Sequence, residues 1–302
     1  MAFQKRHYFG KGISLIERIE ELIGFDEKTG LVKDGSSESM LDSFENSSFG
    51  IANFLAGRED VSRGILGGIE NYIDFDENGL VYNKIGLSQH EDKKVLPGEK
   101  TIYLANNVLV SVLYHLFGEE RKAKSLREKI EEKVGTFDFK GEKVYRHEPN
   151  KNHFYPFNTL LVGINNLVLG NNGGESVEAI RNLCFDKEMG LLRGEPKGKL
   201  YFTLDNSLFA TYLSLSGNEE EAEKLIKNVE RVIGFDEETG LVYRGALGPI
   251  GLIAPRDSSN TANVQNLKRS HPIRDVLTYT NSTLAIAYLT LAGNFPKKAN
   301  PI

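Results

Sequence analysis

Tryptophan is absent from this chain of 302 residues, and cysteine occurs once, as Cys184. A single thiol excludes an intramolecular disulfide framework and any cysteine-rich zinc site. No apolar run approaches the roughly 18 residues that a membrane-spanning helix needs. Basic residues do not prevail: 37 lysines and arginines stand against 42 aspartates and glutamates, a net charge of -5. The lysines are interleaved with glutamates, so the basic face that phosphate binding requires is missing and no nucleic-acid partner is expected. The first ten residues lack an apolar stretch after Lys5 and Arg6. A secretory signal is therefore not expected, and the expected location is the cytoplasm. With 40% hydrophobic and 26% charged residues, the chain can bury a large core.

What is present is a repeat. Phe-Asp pairs at Phe25, Phe75, Phe137, Phe185 and Phe235 are each followed four or five residues later by a glycine: Gly30, Gly79, Gly141, Gly190 and Gly240. The pairs recur every 48 to 62 residues. A supersecondary unit at such a period marks a repeat architecture. Each element reads as a tight hairpin: the aspartate bonds the turn, glycine supplies positive φ, and a short apolar strand such as Leu241-Val242-Tyr243 follows.

Two helix types alternate with these turns. The first type is apolar nearly all round, as buried helices are, over residues 41–56, 102–117, 154–169, 201–216 and 277–292. The second is charged on one face and apolar at spacings of three and four, over residues 11–23, 59–72, 119–134, 174–184 and 218–232. Glycines at 57, 118, 170, 217 and 293 separate the pairs, where a helix C-cap favours positive φ. The chain begins with an outer-type helix and ends with an inner-type one. The expected fold is therefore all-α: one domain spanning 1–302, an α/α toroid of five helical hairpins closed by its terminal helices. An open solenoid is the alternative, but it usually carries polar capping repeats, and none is visible.

Aligned on their terminal glycines, the inner helices share a polar pair near their starts: Glu45-Asn46, Asn106-Asn107, Asn158-Thr159, Asp205-Asn206 and Asn281-Ser282. Polar groups at the start of apolar helices either face a wet central cavity or serve as N-caps. Aromatic residues lie close by: Phe44, Tyr103, Tyr155, Phe202 and Tyr279. Carboxylates replace asparagine in two repeats only. Those repeats lie two steps apart in a five-membered ring, so Glu45 and Asp205 would face each other across the hole. Opposed carboxylates about 6 to 10 Å apart are what inverting glycoside hydrolysis requires. Glu45, flanked by Phe44 and Phe49, is the expected acid, and Asp205 the expected base.

Three connections leading into inner helices are long. One carries His90, one carries His147, Glu148 and His153, and the third, 244–276, is an expected lid containing Arg274. The expected binding set is Phe44, Tyr103, Asn106, Tyr155, Asn158, Phe202, Tyr279, Asn281, His153 and Arg274. No metal and no cofactor are expected.

The helical ring with its FDEETGLVY-like turns resembles the α/α-toroid carbohydrate-active proteins: six-hairpin glycosidases, N-acylglucosamine 2-epimerase-like enzymes and five-hairpin uronate lyases. The likeness covers the whole chain in layout. It implies a sugar or oligosaccharide substrate bound at the N-terminal ends of the inner helices. A lyase or epimerase using Tyr103, Tyr155 or His153 for proton transfer, with Asn158 and Arg274 on the acid group, is the alternative chemistry. A noncatalytic ring that binds carbohydrate or scaffolds proteins is the other.

Overall fold

The computed structural model describes residues 2–26, 28–33, 40–73, 75–86, 101–236, 239–247 and 278–296. Ten helices lie among them. Five are short and largely buried: α2 (Ser43–Leu55), α4 (Leu104–Leu116), α6 (Pro156–Val168), α8 (Thr203–Leu215) and α10 (Thr278–Leu291). Five are amphipathic: α1 (Ala2–Leu22), α3 (Glu59–Tyr72), α5 (Glu120–Val134), α7 (Gly174–Cys184) and α9 (Glu219–Val232). The difference follows from the sequence. In α10 every residue but Tyr279 is buried, whereas α9 buries only Ala222, Leu225, Ile226 and Val229, one stripe at helical spacing. No described helix is long and apolar enough to cross a membrane.

The buried helices pack pairwise in the order α2, α4, α6, α8, α10, and α10 also packs on α2. Helices α3, α5, α7 and α9 each cover the buried helix that precedes them, while α1 covers α10. The two ends of the chain thus meet. Tyr8 stacks on Tyr288 with ring centroids 5.9 Å apart, and Lys11 pairs with Glu230 at 2.7 Å. Tyr288 donates its hydroxyl to the same Glu230 at 2.6 Å. The sequence expectation started this first helix at residue 11, but it begins at Ala2. Gly12 permits close approach, since a Cβ there would lie 2.7 Å from Leu289 Cγ.

The Phe-Asp elements form tight turns. Phe25 bridges Val32, Phe75 bridges Val81 and Phe235 bridges Val242. The other two elements are hairpins, β3 (Thr136–Phe139) with β4 (Glu142–Tyr145) and β5 (Phe185–Asp186) with β6 (Leu191–Leu192). Asp26 Oδ1 accepts the Thr29 amide at 2.9 Å, and Asp236 accepts that of Thr239 at the same distance. These are the local bonds that suit aspartate to turns. Two further ladders tie neighbouring repeats together at the end where the buried helices begin. β1 (Met40–Asp42) pairs with β2 (Lys84–Gly86), and β7 (Leu200–Phe202) pairs with β8 (Gly245–Leu247).

Candidate active site

The polar pairs resolve into two sets with separate tasks. In the second set, Asn46 accepts the Val32 amide at 2.7 Å and donates to the Val32 carbonyl at 3.0 Å. Asn107 does the same to Val81, and Asn206 to Leu192, at the same distances. Thr159 accepts only the Tyr145 amide, at 3.1 Å. Each thus clamps a turn onto the buried helix that follows it, satisfying a buried strand that has no ladder neighbour there. They are not caps of their own helices. Among the described residues, the one side-chain N-cap on a buried helix is Asp42, which accepts from the amides of Phe44 and Glu45 on α2.

Alignment on the terminal glycine fails in the last repeat. Asn281 accepts the Val242 amide at 2.9 Å, so it belongs to the clamping set. Helix α10 has 14 residues against 13 in the other buried helices, and the extra residue lies between clamp and glycine. Thr280, not Asn281, is therefore level with Glu45, Asn106, Asn158 and Asp205, each at the third helical position. Asn281 was expected to bind substrate; its carboxamide is held by a turn instead.

A cavity of about 550 Å³ opens at this end of the helices. Glu45 and Asp205 both line it, with Phe44, Tyr103, Asn106, Tyr155, Phe202 and Tyr279 from the expected set. Aromatic rings meet across it. Phe44 of α2 lies edge-on to Tyr279 of α10 at 5.6 Å and to Phe157 of α6 at 6.3 Å. Asn158 does not line the cavity, and His153 is an exposed residue whose ring lies 6.4 Å from that of Tyr155. His90, Arg274 and most of the expected lid lie outside the described residues. Of the expected lid only residues 244–247 are described, Arg244 and then β8.

A second set of lining residues was not among the expected binding residues, although His147 was noted in a long connection. Asn83, His147, Gly194 and Arg244 all line the cavity. Each stands two residues after a clamped one: Val81, Tyr145, Leu192 and Val242 respectively. Three of them also cap the helix of the preceding repeat through the main chain. The carbonyls of Asn83, His147 and Arg244 accept the amides of Ser43, Leu104 and Thr203 at 2.9 Å. The signal was in the sequence, one residue beyond Val-Tyr or Val-Tyr-Arg, but it shows only once the clamps are known.

The electrostatics separate these groups. Burial pushes the Asp205 carboxyl up to about 8, opposed only by a hydrogen bond from the Phe157 amide. Asp205 Oδ1 and Thr280 Oγ1 are buried without a hydrogen-bond partner among the described residues. Burial likewise lowers the His147 pKa, and Asn158 partly offsets the effect. Since Asn158 Oδ1 can only accept, His147 Nδ1 carries the proton of their 3.3 Å bond, which leaves Nε2 as an acceptor. The imidazole stacks on Tyr103 at a centroid distance of 4.4 Å. Among the described residues, no group of three or more His, Cys, Asp or Glu side chains could hold a metal ion.

No family model and no curated protein matches this sequence. Solved structures match the fold over nearly its full length. An endoglucanase, Cel10, a family 8 glycosyl hydrolase from Klebsiella pneumoniae, has a TM-score of 0.59 at 10% identity, covering 93% of this chain and 99% of its own. The chain has the α/α-toroid fold. A reducing end xylose-releasing exo-oligoxylanase matches with a TM-score of 0.58 at 14% identity, covering 95% of this chain and 92% of its own. A cellobiose 2-epimerase from Bacillus thermoamylovorans B4167 matches with a TM-score of 0.56 at 11% identity, covering 94% and 86%. At such identities the likeness is one of fold.

Proposed function

We propose that this chain is a carbohydrate-active enzyme, a glycoside hydrolase that cleaves a sugar or oligosaccharide at the cavity with Glu45 and Asp205 as its acid and base. The observation that carries this reading is that two carboxyl groups from separate buried helices, α2 and α8, line one aromatic-walled cavity. Aromatic faces suit the apolar faces of sugar rings, and Asn83, Asn106 and Arg244 supply hydroxyl partners. The structural neighbours, an endoglucanase, an exo-oligoxylanase and a cellobiose 2-epimerase, support a sugar at this site. We read the packing order of the buried helices as a closed ring of five hairpins, with cytoplasmic location.

In this mechanism the Glu45 carboxylic acid protonates the glycosidic oxygen as the bond to the anomeric carbon breaks. The Asp205 carboxylate takes a proton from water whose oxygen attacks that carbon from the opposite face. The result is one reducing end of inverted configuration. A conjugate acid near 8 makes Asp205 a stronger proton acceptor than an ordinary carboxylate.

A second reading rests on His147, whose neutral imidazole beside Tyr103 and Tyr155 could take a proton next to a carbonyl or carboxylate, as a lyase or epimerase requires. Product analysis on a panel of oligosaccharides separates the two. New reducing ends without ultraviolet absorbance support hydrolysis. An unsaturated uronate chromophore, or an isomerised sugar without cleavage, assigns the site to proton abstraction. Loss of turnover in both Glu45→Gln and Asp205→Asn, with the fold retained, is the expected outcome. Full turnover in both sinks the hydrolase reading.

A further inference from the structure

The second set of lining residues holds the same position in four repeats, and its occupants differ in kind: a carboxamide at Asn83, a neutral imidazole at His147, no side chain at Gly194 and a guanidinium at Arg244. At Asn83, His147 and Arg244 the backbone task, capping the preceding helix through the carbonyl, does not constrain the side chain. The side chains are therefore free to be chosen by what enters the cavity.

Arg244 is the one permanent cation among the described lining residues. It is exposed, and no carboxylate among the described residues pairs with it. Its place is fixed at both ends. Its carbonyl accepts the Thr203 amide at 2.9 Å, and the next residue, Gly245, pairs with Phe202 in the β7–β8 ladder. The guanidinium lies over the Phe202 ring, 5.9 Å from its centroid. Gly194 sits against the same ring, and a Cβ there would meet Phe202 Cε2 at 2.4 Å. Gly194 and Arg244 thus both approach the Phe202 ring. A planar cation carried on a fixed aromatic face, with its N–H groups unspent, is a preorganised receptor for an anionic group. The other acids at hand do not neutralise it. Asp42 is committed to the amides of Phe44 and Glu45, and Asp186 is paired with Arg193 at 2.6 Å.

We propose that Arg244 makes the cavity selective for saccharides bearing an anionic group, a carboxylate or a phosphate, held beside the Phe202 face. This rests on the reading of the cavity as a sugar site, and a binding measurement tests the two separately. Calorimetric titration of the full chain compares glucuronate, glucose 6-phosphate and glucose at low salt, with wild type and Arg244→Met side by side. Arg244→Met keeps the backbone carbonyl that caps α8, and its thermal transition reports whether it folds.

The expected result is that at least one anionic sugar binds about tenfold or more tightly than glucose, as a charge-assisted bidentate contact gives. Added salt weakens the preference, and Arg244→Met abolishes it. The arms identify the anion: preference for glucuronate assigns a carboxylate, preference for glucose 6-phosphate a phosphate. Equal binding of all three sugars, or a preference that survives in Arg244→Met, overturns the proposal and leaves the sugar site standing. Absence of binding by any of the three overturns both.

Discussion

Asn281 of α10 accepts the Val242 amide at 2.9 Å, the same bond that Asn46 of α2 takes from Val32 at 2.7 Å. The bond sets the register of the last repeat. It places Thr280 at the cavity and leaves Glu45 and Asp205 as the two carboxyl groups at their level.

The clamps are the first place to test. Replacing Asn206 with Ala removes three hydrogen bonds, two to Leu192 and one to the Phe202 carbonyl at 2.8 Å. It also leaves a buried amide and carbonyl unsatisfied. The expected loss is about 3 kcal/mol of stability by urea denaturation. Thr159→Ala, which deletes a single bond to Tyr145, is expected to cost about 1 kcal/mol. Equal losses would remove the distinction between a two-point and a one-point clamp.

Most of the fold was legible because the two helix types differ in a property that composition reveals. Residues 102–117 were expected to form a buried helix, and Leu104–Leu116 does. Residues 59–72 were expected to form an outer helix and do so with those bounds. The miss at the N-terminus has a physical cause. Gly10 and Gly12 carry weak helix propensity, and contact with α10 overrides it. The candidate site was legible in part. Glu45, Asp205 and the aromatics reach one cavity because buried polar groups in apolar helices need a reason. Asn281 misled because an inserted residue in α10 is invisible to an alignment made on the glycine. Arg244 was hidden, and His147 was noted only as a loop residue, because their position is defined by a clamp made across the fold.

Asp205 also links stability to pH. In the unfolded chain its carboxyl titrates near the ordinary 3.8, and in the folded protein near 8. Between these values the unfolded chain has released the proton and the folded protein keeps it, so the unfolded state binds fewer protons. Stability from this group is therefore complete below about 4, falls by up to roughly 1.4 kcal/mol per pH unit, and levels off above about 8. Cys184, whose thiol burial pushes up to about 12, adds to the fall only where the unfolded thiol begins to ionise, above about pH 8. His147, whose pKa burial lowers, acts with the opposite sign near neutrality, so the slope is assigned by comparison with Asp205→Asn. Asp205→Asn is expected to flatten the slope and to be the more stable protein at pH 8. Parallel urea curves from pH 5 to 9 measure it, and unchanged slopes would show that Asp205 is ionised in the folded state.

Gly194 supports the Phe202 face. Alanine there brings a methyl group to 2.4 and 2.6 Å from Phe202 Cε2 and Cδ2, so the ring must swing. The expected outcome of Gly194→Ala is a modest loss of thermal stability and a KM raised several-fold with kcat changed less, as for a lost binding contact. A fall in kcat alone would mean that Phe202 acts in the chemical step and not in holding the sugar.

The sign of the pH–rate profile decides which carboxyl group gives the proton. If Asp205 is the base, it works only when ionised, and burial keeps it protonated until about 8. The kcat/KM of the free enzyme should therefore rise through that region, and the rising limb should disappear in Asp205→Asn along with most of the activity. Residual rates about a hundredfold or more below wild type are expected for the loss of one proton-transfer group. Glu45→Gln should lose a comparable amount but keep the limb, because the group that titrates is still present. A profile that falls through the same region would mean that protonated Asp205 is the active form. The roles of the two residues would then be exchanged, with Asp205 protonating the leaving oxygen and Glu45 activating water.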